Sequence, residues 1–296
     1  METTEQINIP NLITSTINEL FLNLFDSVDN TLYSILDDLV FISADIMNHP
    51  SLSKLLGDNL SGMVLIANSL VIGFLLYYGI SHLISHFTFV QSQSPYQLIF
   101  RLLLCVIFMN FAIFICWALI LGISTLSLAI RNLGENIFNI QISFASIIQN
   151  LNSVVHMDEN NFNFFSIDGL LKSFISIGLL NLVLTYALRY IITLVFILIS
   201  PFAFLSLILK ESTWIFKSWL KIFFSLLILQ VFVSFILLIC FSIDTADGDI
   251  FSQFIYIGSI YALMKANTFL RDFMIGLGSD ISMGVRHIQS TISGGF

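Results

Sequence analysis

The sequence predicts an all-α, polytopic membrane protein with about five transmembrane helices and an amphipathic amino-terminal helix on the outer side. Two observations carry this expectation. Hydrophobic residues make up 57% of the 296 and charged residues only 10%, against roughly 45–50% and 25% in soluble domains. The stretches Leu60–Phe100, Leu102–Ile130 and Ile222–Ile243 hold no charged residue, and each is long enough to cross a hydrocarbon core, which takes about 20 residues. A soluble globular protein is excluded.

Taken in order, residues 1–60 form an outer acidic region. No basic residue precedes Lys54, so a secretory signal peptide with its positive leading segment is not expected. Within 12–41, apolar Ile13, Ile17, Leu20, Leu24, Val28, Leu32, Ile35, Leu36 and Leu39 follow helical three-and-four spacing. Pro10 suits the first turn. The polar face carries Glu19, Asp26, Asp29, Asp37 and Asp38, which does not suit anionic lipid. Its apolar stripe is expected to pack on a partner or second subunit, or on the chain's own outer loops.

Residues 61–130 hold the first two spans, one within Ser61–Phe87 and one within Leu102–Ile130, separated by the polar QSQSPYQ stretch at 91–97. Residues 131–172 form an outer loop. It has an Asn-rich half and apolar positions at Ile137, Ile140, Phe144, Ile147, Ile148 and Leu151. A connection that long is expected to touch a substrate or partner, or to act as scaffold. Residues 173–270 hold spans three to five. Between Lys172 and Lys210 only Arg189 is charged, and the length fits one long span better than two. Pro201 should interrupt it, bending or ending the helix after Ser200, because proline lacks the backbone donor and its ring clashes with the preceding turn. Span four is Ile222–Ile243. Span five is Ile250–Met264, continuing toward Leu270 with Lys265 snorkelling. Residues 271–296 are expected to be a cytoplasmic tail.

Charge placement sets the orientation. With five spans and the amino end outside, seven basic residues fall on the cytoplasmic side: Arg101, Lys210, Lys217, Lys221, Lys265, Arg271 and Arg286. Three, Lys54, Arg131 and Lys172, fall outside. The positive-inside rule favours this orientation over its inverse. The net charge of −8 then belongs to the outer face.

Arg189 is the one formal charge inside a span, and such a residue is by default functional. It is expected to line a water-filled pathway, to pair with an acidic or backbone carbonyl group at a subunit interface, or to snorkel to local water defects, with Pro201 shaping the same region. In KESTWIFKSWLK at 210–221, Lys210, Trp214, Lys217 and Lys221 share a helical stripe and Trp219 lies elsewhere around the turn. This reads as an interfacial helix anchoring the chain at the cytoplasmic membrane surface.

Other clusters carry less. His82 and His86 lack a third ligand. Asp244, Asp247 and Asp249 lack the spacing of a calcium loop. Gly276, Gly278 and Gly284 do not open a helix after a strand, as a phosphate-cradling loop would. Cys105, Cys116 and Cys240 lie in apolar stretches and read as small hydrophobes. The steps Ser69 to Gly73, Ala118 to Gly122 and Gly258 to Ala262 allow close helix approach. Neither a catalytic residue, a metal site nor a cofactor is expected, so an enzyme is not.

Arg189, the Ser200-Pro201-Phe202-Ala203-Phe204 break and the block LILKESTWIFKSWLKIFFSLLILQ at 207–230 together resemble the TrbL/VirB-type polytopic family, the membrane channel subunits of conjugative type IV secretion systems. The likeness extends to SPYQLIFRLL at 94–103, IRNLGENIF at 130–138 and FSIDGLLKSF at 165–174. It implies a homo-oligomeric subunit of the bacterial cytoplasmic membrane. Such a subunit assembles with other secretion proteins, including the ATPases that supply energy, and helps DNA or protein cross. The alternative is a secondary transporter or ion channel acting alone, although the inverted repeat common in transporters is not visible.

Overall fold

A computed structural model of the chain describes residues 16–21, 23, 35–48, 50–56, 62–88, 95–147, 166–209, 212–242, 254–255, 257–266 and 268–270. Its elements are a 3₁₀ turn at Ala44–Asn48, then α1 (Pro50–Leu56), α2 (Gly62–Thr88), α3 (Pro95–Asn110), α4 (Ala112–Phe138), α5 (Ile167–Leu205) and α6 (Thr213–Ser242). Residues 257–266 form a further helix, α7, and there is no strand among the described residues. Four helices, α2, α4, α5 and α6, are long and apolar enough to cross a membrane, and Ile99–Asn110 is a shorter apolar helix. The chain is an all-α polytopic membrane protein. Its many Phe and β-branched residues favour strands in water. In hydrocarbon a backbone must satisfy its own hydrogen bonds, so each apolar run closes into a helix.

Local chemistry sets the helix ends. Pro50 and Pro95 open α1 and α3, where a missing N–H leaves nothing unsatisfied. Gly62 opens α2 at φ 72°, and a Cβ there would lie 2.6 Å from the Leu55 and Leu56 carbonyl oxygens, so only glycine fits. Asn139, at φ 53°, ends α4 in the left-handed conformation common just past a helix. Ser166 caps α5 by accepting from the Gly169 N–H at 3.1 Å.

Three expectations are corrected. The second span is not one run over Leu102–Ile130: α3 and α4 meet at Phe111, and α4 continues past Arg131 to Phe138. The i to i−4 bonds Phe111 N to Ile107 O (3.0 Å) and Ile115 N to Phe111 O (2.9 Å) persist through the junction, so it is a local disturbance rather than a loop. Pro201 does not end α5, which runs on to Leu205. The 210–221 connector is not a separate surface helix: from Thr213 it is the first part of α6. Much of span five, most of 12–34, the 148–165 stretch with most of the Asn-rich run, Lys210, the 244–249 turn and the 271–296 tail lie outside the described residues.

The chain divides into two compact units of interleaved segments, Met1–Phe41 with Ser127–Leu188 and Val231–Thr268, and Ile42–Leu126 with Arg189–Gln230 and Phe269–Phe296. In the first unit, Leu36, Val40, Ile142, Phe144, Leu182 and Leu237 are buried, and the hydroxyls of Ser127 and Ser234 join α4 to α6 at 2.7 Å. In the second, Val64, Met109, Cys116, Ile197, Phe223 and Leu227 are buried, and the Asn68 amide donates to Asn110 Oδ1 at 3.4 Å. Both units expose large hydrophobic side chains along their helices, the surface a bilayer covers.

Candidate functional site

The second unit holds the intramembrane arginine. Arg189 is 0% exposed, and its Nε and Nη2 both donate to the Leu226 carbonyl of α6, at 2.9 and 2.6 Å. An arginine at a span centre costs about 2.5–3.5 kcal/mol to insert. Two charge-assisted bonds at about 1.5–3 kcal/mol each offset that. By helix register the Leu226 carbonyl also accepts from Gln230 N–H, so the guanidinium occupies its second lone pair. Thr193, buried one turn beyond Arg189, donates to the Arg189 carbonyl at 2.9 Å. Gln230, one turn beyond Leu226, is also buried. The result is a polar cross-tie between two apolar helices.

Pro201 explains the next turn. Its missing N–H leaves the Ile197 carbonyl without the usual donor, and the Ser200 hydroxyl donates to that oxygen at 2.7 Å. The Ser-Pro pair is thus self-completing, which is why α5 survives it. Ser200→Ala is expected to cost about 1–3 kcal/mol, because it orphans a buried acceptor. Adding Pro201→Ala to it should restore most of that stability by returning a backbone donor. Detergent unfolding of the single and double variants checks this, and purely additive losses would contradict it.

The carboxyl end of α5 is equally well accounted for. Its last carbonyls have no helical donors, and hydrocarbon tolerates no orphan. Ser206 N bonds Phe202 O (3.1 Å), Leu207 N bonds Phe204 O (3.1 Å) and Ile208 N bonds Leu205 O (3.1 Å). Ser206 Oγ donates to Ala203 O at 2.7 Å, and the Cys105 thiol to Phe204 O at 2.9 Å. Tyr78 of α2 donates to the Ile208 carbonyl at 3.2 Å. Around this end Phe204 stacks on Phe108 and meets Phe216 and Trp219, while Trp219 stacks on Phe223 at 5.2 Å. Trp219 Nε1 donates to the Phe196 carbonyl at 3.0 Å, tying α6 to α5 a second time.

The first unit carries a latch on residues 35–41. Phe144 N–H donates to Asp37 Oδ1 at 3.2 Å, and the Arg131 guanidinium lies 3.9 Å over the Phe41 ring. Residues 35–41 therefore pack on the chain's own 131–144 region; most of the expected 12–41 amphipathic helix lies outside the described residues. Burial pushes the Asp37 carboxyl above the ordinary carboxylate range. The Phe144 N–H, the Arg131 charge and the Ala145 N–H pull it back, and Asp38 adds to the rise. A raised folded value means the folded state holds the proton more tightly. This contribution is complete below the ordinary carboxylate range and is lost as pH rises through the raised value. Amide exchange at 36–41, corrected for intrinsic rates, should show strongest protection in acid, weakening through that window and level above it. Asp37→Asn should remove the slope, and a flat wild-type profile would contradict this.

The expected site residues do not form one cluster. Arg189 and Pro201 share α5 and are both buried; Arg189 pairs with a backbone carbonyl, one of the partner types expected of it, on a helix of the same chain. Of the expected membrane anchors, Trp214 is 65% exposed, Lys217 is exposed and Lys221 half-buried. Trp219 is 5% exposed and is corrected from anchor to core residue. Lys210 lies outside the described residues. Sequence reasoning missed Cys105, Tyr78, Thr193, Ser200 and the Leu226 carbonyl. The Ser-Pro pair was a usable signal for Ser200, but a carbonyl partner leaves none, since every residue has one. Among the described residues no group of three His, Cys, Asp or Glu gathers to hold a metal. No protein-family model matches the chain, and no curated protein is similar to it.

Proposed function

We propose that this chain is a non-enzymatic integral subunit of a conjugative type IV secretion channel in a bacterial cytoplasmic membrane, helping DNA or protein to cross. In this reading the amino end is outside and the carboxyl end cytoplasmic. Its partners are further copies of itself, other secretion subunits including the ATPases, the translocated cargo and membrane lipid. The observation that carries it is the α5–α6 block. An arginine-bearing span runs through a Ser-Pro pair into an aromatic segment and the next span, and Arg189 and Trp219 bolt these together. That is the arrangement on which the resemblance rests. A hairpin tied at two points suits a part that holds a conduit while energy comes from elsewhere. Deleting the gene and assaying transfer of the conjugative element, with a complementing copy, tests this. Loss restored by the copy is expected, and unchanged transfer would reject the assignment.

A stand-alone secondary transporter or channel is the second reading, favoured by the buried polar residues Arg189, Thr193 and Gln230 within the spans. Solute flux in proteoliposomes of the purified chain alone would select it.

A further inference from the structure

Among the described residues of the first unit, one face of α5 is uncovered, and that face is not uniformly apolar. On the covered side, Ile175, Leu179, Leu182 and Tyr186 are buried. A Cβ at Gly178 would sit 3.2 Å from Ile260 of α7, and the Tyr186 hydroxyl donates to the α7 Leu263 carbonyl at 3.2 Å. On the other side, Leu170, Phe174, Ile177, Leu184 and Leu188 are 54–68% exposed, with Asn181 exposed in their midst. Successive steps along this face alternate between four and three residues, eighteen residues in five steps, so these side chains lie on one continuous face of a straight helix.

Asn181 distinguishes the face from a lipid surface. Its carbonyl accepts from Thr185 Oγ1 at 2.8 Å, but its side-chain amide has no hydrogen-bond partner among the described residues. It lies within the Lys172–Leu205 span, where lipid tails offer neither donor nor acceptor. A primary amide has both, so it is complementary to a copy of itself across a two-fold axis. Asparagine bridging neighbouring helices is a recurrent source of association in bilayers, and one polar seam residue also fixes register.

We propose that this face of α5 docks on the same face of a second copy of the chain, with the two Asn181 amides hydrogen-bonded at the seam. The inference deepens the assembly part of the reading above. It rests on that reading for self-association, but not for the cargo.

The test uses the full chain in membranes, with Ile177→Cys or Leu184→Cys joined by a short membrane-permeant bis-maleimide. The native cysteines are buried and stay in place, with Leu76→Cys on α2 as a lipid-facing control. The two seam positions should give a species of twice the chain's mass, and the control should not. Asn181→Leu should insert normally and lower that yield by about tenfold, the scale of an interhelical hydrogen bond in lipid, while Asn181→Gln retains it. Equal yields at seam and control, cross-linking to a different protein, or an unaffected yield in Asn181→Leu would each overturn the proposal. Seam-specific dimers in a chain whose deletion leaves element transfer unchanged would support this surface and reject only the secretion reading.

Discussion

Arg189→Met is expected to leave the folded chain about as stable as the native one while reducing element transfer to the level of a deletion. Removing the charge returns the insertion penalty of about 2.5–3.5 kcal/mol and forfeits two bonds of comparable combined size. The long methionine side chain refills most of the space. The Leu226 carbonyl keeps its bond within α6, so no buried acceptor is orphaned. Replacing a buried ionic group by an apolar one of similar volume is often neutral or stabilising. Arg189→Ala should behave differently, losing about 2–4 kcal/mol, because the vacated volume cannot collapse between two tightly joined helices. Arg189→Lys should fall between them, since a single ammonium nitrogen can aim only one N–H at the oxygen that Nε and Nη2 both reach, leaving its other donors buried. Thermal unfolding in detergent, with membrane fractionation to score insertion, reads stability separately from transfer. If Arg189→Met transferred normally, the guanidinium would have no working role. If it unfolded as readily as Arg189→Ala, the cross-tie would be structural alone.

Trp219→Ala should be the most damaging single change in α6, at about 3–5 kcal/mol for truncating a buried tryptophan. The indole stacks on Phe223, meets Phe204 and Phe216, and bonds Phe196, so its loss opens a cavity and unties α6 from α5 together. Trp219→Phe keeps most of the packing and drops the Nε1 bond, for about 0.5–1.5 kcal/mol. Trp214→Ala, one turn earlier but on the exposed side, should stay within about 0.5 kcal/mol. Unfolding followed by tryptophan emission ranks the three. A loss at Trp214 equal to that at Trp219 would mean the segment lies on the membrane surface after all.

That contrast shows what the sequence made legible. The four spanning helices were readable because hydrocarbon imposes one solution on a long apolar run. The helix content and the isolation of Arg189 followed from composition alone. Trp214 and Trp219 look alike in sequence, and only the packing of α6 on α5 separates them. Of the bend or end expected at Pro201, the end is excluded because α5 runs on to Leu205, and the preceding serine supplies the donor that proline lacks. The run of α4 past Arg131 was hidden because Arg131 rests over Phe41, a contact distant in sequence. Arg189 stood out at once, but its partner is a main-chain oxygen that no residue type announces.

Orientation is the claim on which the outer latch, the cytoplasmic aromatic end and the proposed conduit all depend. Lys54 and Lys217 are both exposed, and they fall on opposite sides of the membrane in the orientation read from the basic residues. Single cysteines at these two positions, treated with a membrane-impermeant maleimide in intact cells, measure it directly. Lys54→Cys should be labelled in intact cells and Lys217→Cys only after lysis. The reverse pattern, with Lys217→Cys labelled from outside and Lys54→Cys protected, would contradict it.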